Sequence, residues 1–136
     1  MTFRPDEVRG APAGGFGGVV DFRLQRNAIV KEYKRGRLSR LDVCDAHPEL
    51  LRNAEHCAQP ASEECPICET PGQLVLVTYV FGSRLPASGR CMTSTQELAR
   101  LDRGSRELAA YVVEVCRTCR WNHLLRSFPV GRRART

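Results

Sequence analysis

Two Cys-x-x-Cys pairs are the residues of this sequence that could do chemistry. Cys65 and Cys68 form the first pair, and Cys116 and Cys119 form the second, with 47 residues between the pairs. Each pair lets one tight turn direct two thiolates at a single point, and two such turns complete a tetrahedral sulfur cage. This pattern is typical of one structural Zn²⁺ ion, because four thiolates leave no open position for catalysis. A redox dithiol, or buried thiols that share this spacing, is the alternative.

Three apolar runs predict the strands that position these cysteines. Leu74 to Phe81 is dense in β-branched and aromatic residues, which favours a buried strand. Leu108 to Val115 predicts a second strand that ends at Cys116, and Leu124 to Val130 predicts a third. We therefore expect a three-stranded antiparallel sheet with a cysteine pair at two of its strand boundaries.

The first half of the chain predicts short helices. Phe22, Ile29 and Tyr33 recur at helical offsets, and Gly36 follows as a stop. Capping pairs at Ser39 and Asp42, and later at Ser94 and Glu97, predict further helix starts, as does the position of Pro48. The expected fold class is α+β, with N-terminal short helices packed on a zinc-ribbon-like three-stranded antiparallel sheet.

The composition divides the chain into four parts. Residues 1–18 contain a glycine-rich stretch and predict a flexible tail, and residues 19–58 form the helical region. Residues 59–130 form a zinc-ribbon-like module with an inserted loop and helix at 82–106, and residues 131–136 form a basic tail.

Length and cysteine usage exclude several classes of protein. A chain of 136 residues is too short for a large multidomain enzyme. Its longest apolar run falls well short of the roughly 20 residues that cross a bilayer, so we expect no membrane association. Seven cysteines, with no apolar signal core in the first ten residues, favour metal-bound and free thiols over disulfides and predict a cytoplasmic protein. The familiar catalytic motifs are missing, so we expect neither enzymatic activity nor a small-molecule substrate.

The charge pattern suggests an anionic partner. The net charge is +6, and residues 117–136 contain six arginines and no acidic residue. Arginines here alternate with aromatic and amide side chains, which suits phosphate contacts with base stacking. We predict an accessory factor that contacts RNA or DNA in a transcription- or ribosome-associated assembly, through Arg117, Arg120, Trp121, His123, Arg126, Arg132 and Arg133. Alternatively, Trp121 covers the zinc site and the arginines form a solvated surface.

Two other functions remain open from the sequence. Residues 22–40 carry a net charge of +6 and residues 41–69 a net charge of −6, so opposed charged faces would suit a protein-interaction adaptor. Cys44, Cys57 and Cys91, with Cys91 expected as a lone thiol, could instead serve a thiol- or metal-responsive switch. A second metal site at Cys44, His47, His56 and Cys57 is disfavoured because helical neighbours diverge by about 100°. A helix-turn-helix over 39–57 is disfavoured by its acidic charge.

Three segments resemble a family of small actinobacterial proteins known only as a domain of unknown function. They are VCDAHPELL at 43–51, CPIC at 65–68, and VEVCRTC at 113–119 followed by WNHL at 121–124. The resemblance covers about residues 19 to 130 and implies architecture but no mechanism. The order of knuckles and strands also resembles a zinc ribbon. Glu69 and Arg120 stand where ribbons often have glycine, and the long separation between the pairs implies an insertion.

Overall fold

A computed structural model describes residues 8–9, 19–82, 90–104 and 108–131. Within these ranges the chain forms a mixed α/β fold of six strands and four helices. In chain order they are β1 (Val20–Asp21), α1 (Arg23–Lys34), α2 (Arg40–Val43), α3 (Pro48–His56), β2 (Gln59–Pro60), β3 (Leu74–Gly82), β4 (Arg90–Cys91), α4 (Thr95–Asp102), β5 (Leu108–Cys116) and β6 (Asn122–Val130). None of the helices in these ranges has the length and apolar character needed to cross a membrane.

All six strands pair antiparallel in one sheet. The strand order is β1-β6-β5-β3-β2, and β4 also pairs with β3. The long strands β3, β5 and β6 correspond to the three predicted strands, whereas β1, β2 and β4 contain two residues each. The predicted number of three strands is therefore wrong, because a two-residue strand is too short to show an alternating pattern in the sequence.

Strand β5 lies at the centre of the sheet and is buried on both faces. All nine of its residues are buried. Successive side chains of a strand point to opposite faces. Val113 accordingly shares an apolar cluster with Leu50 of α3, whereas the neighbouring Glu114 meets Arg26 of α1 on the other face. Helices thus cover both faces of the sheet at this strand.

The helices differ in placement from the sequence prediction. Helix α1 begins at Arg23 rather than near Val19, because β1 pairs with β6 and the Asp21 carboxylate accepts the Arg23 backbone N–H at 2.8 Å. The predicted capping box of Ser39 and Asp42 is present before α2. Helix α4 follows Ser94 as its N-cap and ends at Asp102, so the helix predicted within the segment 82–106 is present between β4 and β5.

Val8 and Arg9 are packed against the sheet, although they fall within the predicted flexible tail. Val8 is buried, and the Arg9 guanidinium donates to the Asp45 carboxylate and to the Asn122 carbonyl, each at 2.8 Å. The Leu124 backbone N–H also donates to the Arg9 carbonyl. The rest of the predicted tail 1–18, and the basic tail from residue 132 with Arg132 and Arg133, lie outside the described residues.

Candidate metal centre

The two Cys-x-x-Cys pairs meet at one end of the sheet. Cys65 and Cys68 lie in the loop before β3, whereas Cys116 ends β5 and Cys119 lies in the turn before β6. Leu74, the first residue of β3, pairs with Cys116, which brings the two turns together. The four Sγ atoms all lie within 4.8 Å of one another. The Cys65–Cys119 and Cys68–Cys116 sulfur pairs are each 3.6 Å apart.

This spacing fits a tetrahedral metal ion. With metal–sulfur bonds of about 2.3 Å, sulfurs at the corners of a tetrahedron are about 3.8 Å apart. The two sulfur pairs at 3.6 Å lie close to that value, and the other pairs lie within 4.8 Å. A donor set of four sulfurs favours zinc or iron over calcium and magnesium, which prefer oxygen. These four cysteines can therefore hold one metal ion.

Each cysteine pair lies in the same kind of turn. The Glu69 N–H donates to the Cys65 carbonyl and the Arg120 N–H donates to the Cys116 carbonyl, both at 3.0 Å. Glu69 and Arg120 then adopt positive φ values of 58° and 76°, a left-handed conformation that favours glycine. Arg120 makes a contact that glycine could not, because its Nη2 donates to the Ala46 carbonyl at 2.9 Å.

Burial and hydrogen bonds control the ionisation of the thiols. Burial raises the pKa of Cys65 to about 12 and also raises the pKa of Cys119. At Cys68 burial likewise raises the pKa, but hydrogen bonds with Thr70 and Cys116 outweigh it and leave a pKa of about 7. Backbone N–H groups, such as that of Ile67 to Cys65 Sγ at 3.4 Å, would stabilise thiolates. A bound cation would remove the remaining cost of bringing these charges together.

A fifth thiol, that of Cys44, lies against this centre. Cys44 caps the C-terminal end of α2, and burial raises the pKa of its thiol. It is partly buried against the apolar cluster that contains the four cysteines. The Ala46 N–H donates to the Arg120 carbonyl at 3.1 Å, which fastens the segment after Cys44 to the second turn. The sequence does not reveal this proximity, because the end of α2 and the second cysteine turn are far apart in the chain and only tertiary packing brings them together.

Comparison with known proteins identifies the family. A family model described as a family of unknown function (DUF5318) matches residues 16–136. The chain belongs to the DUF5318 family. It is 43% identical over 112 residues to the uncharacterized protein Rv0049 of Mycobacterium tuberculosis (strain ATCC 25618 / H37Rv) and to the uncharacterized protein Mb0050 of Mycobacterium bovis (strain ATCC BAA-935 / AF2122/97), an overlap of 82% of this chain and 81% of each relative.

These relatives confirm the resemblance to small actinobacterial proteins of unknown function. No solved structure shows significant similarity to the DUF5318 chain. The arrangement of its site residues therefore comes from the structure described above.

Trp121 of the DUF5318 chain does not offer the predicted stacking face. Trp121 is 0% exposed and His123 is 1% exposed. The indole Nε1 donates to Glu114 Oε1 at 2.8 Å, and the ring packs in the same cluster as Cys65 and Cys116. The prediction that Trp121 and His123 present themselves to a nucleic acid is wrong, because Trp121 packs in an apolar cluster with side chains of α1 and α2, and His123 lies in the buried start of β6. Trp121 covers the cysteines instead, which is the alternative that the sequence left open.

The arginines predicted to bind nucleic acid, where the structure describes them, differ in their contacts and exposure. Arg117 Nη2 donates to the Gly72 carbonyl at 3.2 Å, so this side chain joins the second turn to the loop before β3. Arg120 joins the same turn to Ala46. Arg126 is exposed. Two of these three arginines therefore hold loops of the DUF5318 fold together.

Cys57 and Cys91 form a disulfide. It joins the C-terminal end of α3 to β4, where β4 pairs with β3. The expectations that Cys91 is a lone thiol and that the chain has only metal-bound and free thiols are therefore wrong. Of the residues considered for a second metal site, Cys57 is in this disulfide, His47 caps α3 by accepting the Glu49 N–H at 3.0 Å, and His56 is exposed.

Proposed function

We propose that this DUF5318 protein is a non-enzymatic scaffold in which one structural Zn²⁺ ion joins the two cysteine turns, and that it binds a protein partner through the exposed basic face of α1. The observation that carries the metal site is the convergence of four thiols within 4.8 Å of one another. The cytoplasmic location expected from the sequence is part of this proposal only through the four ligand thiols, which must stay reduced to bind the ion, since the Cys57–Cys91 disulfide lies outside that set.

Zinc is the proposed ion because four thiolates from two knuckle-like turns form a closed tetrahedral site, as in a zinc ribbon. Cys65, Cys68, Cys116 and Cys119 would be its ligands, and Arg117 and Trp121 already pack around the turns. When bound, the ion would supply cross-linking rather than catalysis, since protein sulfurs fill every position of the site. The scaffold role of the sheet follows from this chemistry.

The basic face of α1 is the proposed partner surface. Residues three, four and seven apart lie on one face of a helix. Leu24 and Lys31 share such a face with Lys34 and Arg35, and all four are exposed. Leu24 is 82% exposed, which is unusual for a leucine on a helix whose other face packs against the sheet. A surface that combines an exposed leucine with lysine and arginine suits an acidic protein segment with an apolar anchor.

The burial of Trp121 removes the main argument for contact with RNA or DNA. Base stacking needs an exposed aromatic ring, and Trp121 is buried. Arg117 and Arg120 donate to backbone carbonyls of the chain itself. We therefore favour a protein partner and treat nucleic-acid binding as an outcome that the partner experiment would reveal.

Metal analysis tests the first part of the proposal. The full chain, purified without added metal and without chelators, is expected to contain one equivalent of zinc by inductively coupled plasma mass spectrometry. A Cys68→Ser variant is the comparison, because it removes one ligand that is only partly buried. A protein that contains iron in place of zinc, or no stoichiometric metal, would overturn the zinc assignment.

Affinity capture tests the second part. The tagged protein is captured from its own cells with and without nuclease, alongside a Lys31→Glu/Lys34→Glu variant and a matched Arg100→Glu/Arg103→Glu control on the exposed side of α4. We expect one protein to be retained by the wild type and the control and lost with the α1 variant. Retention that disappears on nuclease treatment alone would show a nucleic-acid partner instead.

A further inference from the structure

The guanidinium of Arg9 occupies a cradle of oxygen atoms between the end of α2 and the start of β6. Its Nη1 donates to the carbonyls of Asn122 and Val43, at 2.8 and 3.3 Å. Its Nη2 donates to the Asp42 carbonyl and to both carboxylate oxygens of Asp45, each at 2.8 Å. The Asn122 side-chain amide also donates to Asp45 Oδ1 at 3.0 Å, which orients the carboxylate toward the guanidinium.

This cradle selects a guanidinium over other cations. Its acceptors lie around a planar fork, and arginine presents N–H donors on separate nitrogens of such a fork. A lysine ammonium has its three donors on one nitrogen and could not reach the same set of acceptors. The Arg9 side chain is 20% exposed and that of Asp45 is 53% exposed, so the cradle is open to the protein surface.

The backbone and the preceding side chain extend the contact of Arg9. The Leu124 N–H donates to the Arg9 carbonyl at 2.9 Å, which adds this segment to the outer edge of β6. Val8 is buried in the apolar cluster that contains Phe22 and Leu124. A buried apolar side chain, a charged side chain in a fitted cradle and a backbone hydrogen bond to a strand edge are the elements of peptide recognition by strand addition.

The cradle lies within the family match, whereas the segment that occupies it does not. The match covers residues 16–136, which include both parts of the cradle and exclude Val8 and Arg9. Val43 and Asp45 belong to VCDAHPELL, and Asn122 belongs to WNHL, two of the segments that carry the family resemblance. The receiving site is therefore part of the DUF5318 fold, and its occupant comes from outside the matched region.

The covalent link to β1 does not force Arg9 into the cradle. Arg9 is hydrogen-bonded to Leu124 and Val20 pairs with Ser127, so the two attachment points on β6 are about 10 Å apart. Residues 10–19 could span about 33 Å when extended, and five of the nine residues 10–18 are glycine. The segment is therefore held by its contacts, and a competing segment can replace it without rearrangement of the sheet.

We propose that this cradle is a recognition site for an extended segment of a partner protein in which an apolar residue is followed directly by arginine, and that Val8 and Arg9 occupy the site in the same chain until such a segment displaces them. The site is separate from the basic face of α1, whose proposed ligand is acidic. A tethered segment has an effective concentration of about 1 mM. The same segment of a second copy has no advantage over it, whereas a different protein can add contacts outside the cradle.

Peptide binding to the full chain tests the proposal. The probe is a fluorescein-labelled peptide with the sequence of residues 5–11, PDEVRGA, and fluorescence anisotropy measures its affinity. Arg9→Ala removes the competing guanidinium, so we expect this variant to bind the peptide about tenfold or more tightly than the wild type. Adding Asp45→Asn to Arg9→Ala should weaken binding by about tenfold or more. A peptide with lysine in place of its arginine should lose a similar factor.

Arg100→Ala is the matched control, because Arg100 is exposed on α4 and lies outside the cradle. It should bind the peptide as the wild type does. Circular dichroism verifies folding, and Arg9→Lys, for which the same direction is expected, replaces Arg9→Ala if the latter does not fold.

Three results would overturn the proposal: equal binding by the wild type and Arg9→Ala, no binding to either at about 1 mM peptide, or equal binding of the arginine and lysine peptides. A wild-type dimer that dissociates in Arg9→Ala would overturn the assignment to a different protein, because the occupant would then be a second copy of the chain. Size-exclusion chromatography of both proteins measures this.

Discussion

Trp121 donates its indole N–H to Glu114 Oε1 at 2.8 Å, and Arg26 Nε donates to the same oxygen at 2.6 Å. Both Trp121 and Glu114 are buried. The carboxylate of β5 thus joins the residue that follows the second cysteine turn to the helix α1. Through this hydrogen bond, Trp121, which the sequence suggested for nucleic-acid contact, instead links the metal centre to helix α1.

Removing Arg26 should destabilise the fold strongly. Arg26→Met leaves the Glu114 carboxylate buried without its cation, which costs about 3 to 5 kcal/mol of unfolding free energy. Glu114→Gln should cost a comparable amount, because it leaves the Arg26 guanidinium buried without its anion, although an amide oxygen still accepts from Trp121. Urea unfolding followed by circular dichroism measures both. Arg23→Met is the control: its pair with Glu63 is exposed, so a loss of more than about 1 kcal/mol there would contradict the burial argument.

Replacing one buried ligand should remove both metal and stability. Cys65→Ser is expected to lose the bound ion and to lower the unfolding free energy by about 3 kcal/mol or more, because metal-binding energy is folding energy at a structural site. Cys44→Ser should keep the metal and most of the stability under reducing conditions. Chelator treatment of the wild type should reproduce the Cys65→Ser loss. Unchanged thermal melting after chelation would contradict a structural role.

The Cys57–Cys91 disulfide should stabilise the oxidised protein. It closes a loop with a sequence separation of 34 residues, for which chain-entropy arguments give about 3 to 4 kcal/mol. The full chain should therefore unfold at higher denaturant concentration when this bond is intact than after mild reduction. A Cys57→Ser/Cys91→Ser variant should show no such dependence on reductant. The metal content of each sample must be equal for the comparison to report on this disulfide.

His123 should make the protein less stable as the pH falls. Burial lowers the pKa of His123, with the charges of Arg9 and Arg26 acting in the same direction and Glu114 acting against it. The unfolded chain therefore takes up a proton near pH 6.5 before the folded chain does, and stability is lost below that pH by up to about 1.4 kcal/mol per unit. Equilibrium unfolding between about pH 7 and pH 5 measures this slope.

His123→Leu should flatten the pH dependence in that window. The carboxyls of Asp42 and Glu97 have lowered pKa values through hydrogen bonds with Ser39 and Thr93, respectively. Their contributions are lost only at more acidic pH, near 4 and below. An identical slope in the wild type and His123→Leu would show that His123 is not the group responsible.

The long strands and the ligand set could be predicted because their signals are local. Leu74 to Phe81 and Leu108 to Val115 are continuous apolar runs, and each Cys-x-x-Cys pair lies within one turn. The cap of Ser39 on Asp42 spans three residues and was predicted for the same reason. The short strand β1 was missed, because its two residues acquire their role only by pairing with β6.

The surface was predicted less well, because exposure is a property of packing. Trp121 and Arg117 have residue types that are common at nucleic-acid interfaces, yet the indole is buried in a cluster with side chains of α1 and α2, and Arg117 donates to the Gly72 carbonyl. The partnership of Cys57 with Cys91 likewise depends on where α3 ends relative to β4.

By itself, the amino-acid sequence determined which sulfurs can share an ion, where the three main strands run, and to which family the chain belongs. Tertiary structure alone decided that Trp121 faces Glu114, that Cys44 packs against the cluster of ligand cysteines, and that Cys57 meets Cys91. The physical reason is the separation in sequence over which each effect acts. Turn geometry and strand alternation act over a few residues, whereas burial and thiol contacts depend on which elements the whole chain brings together.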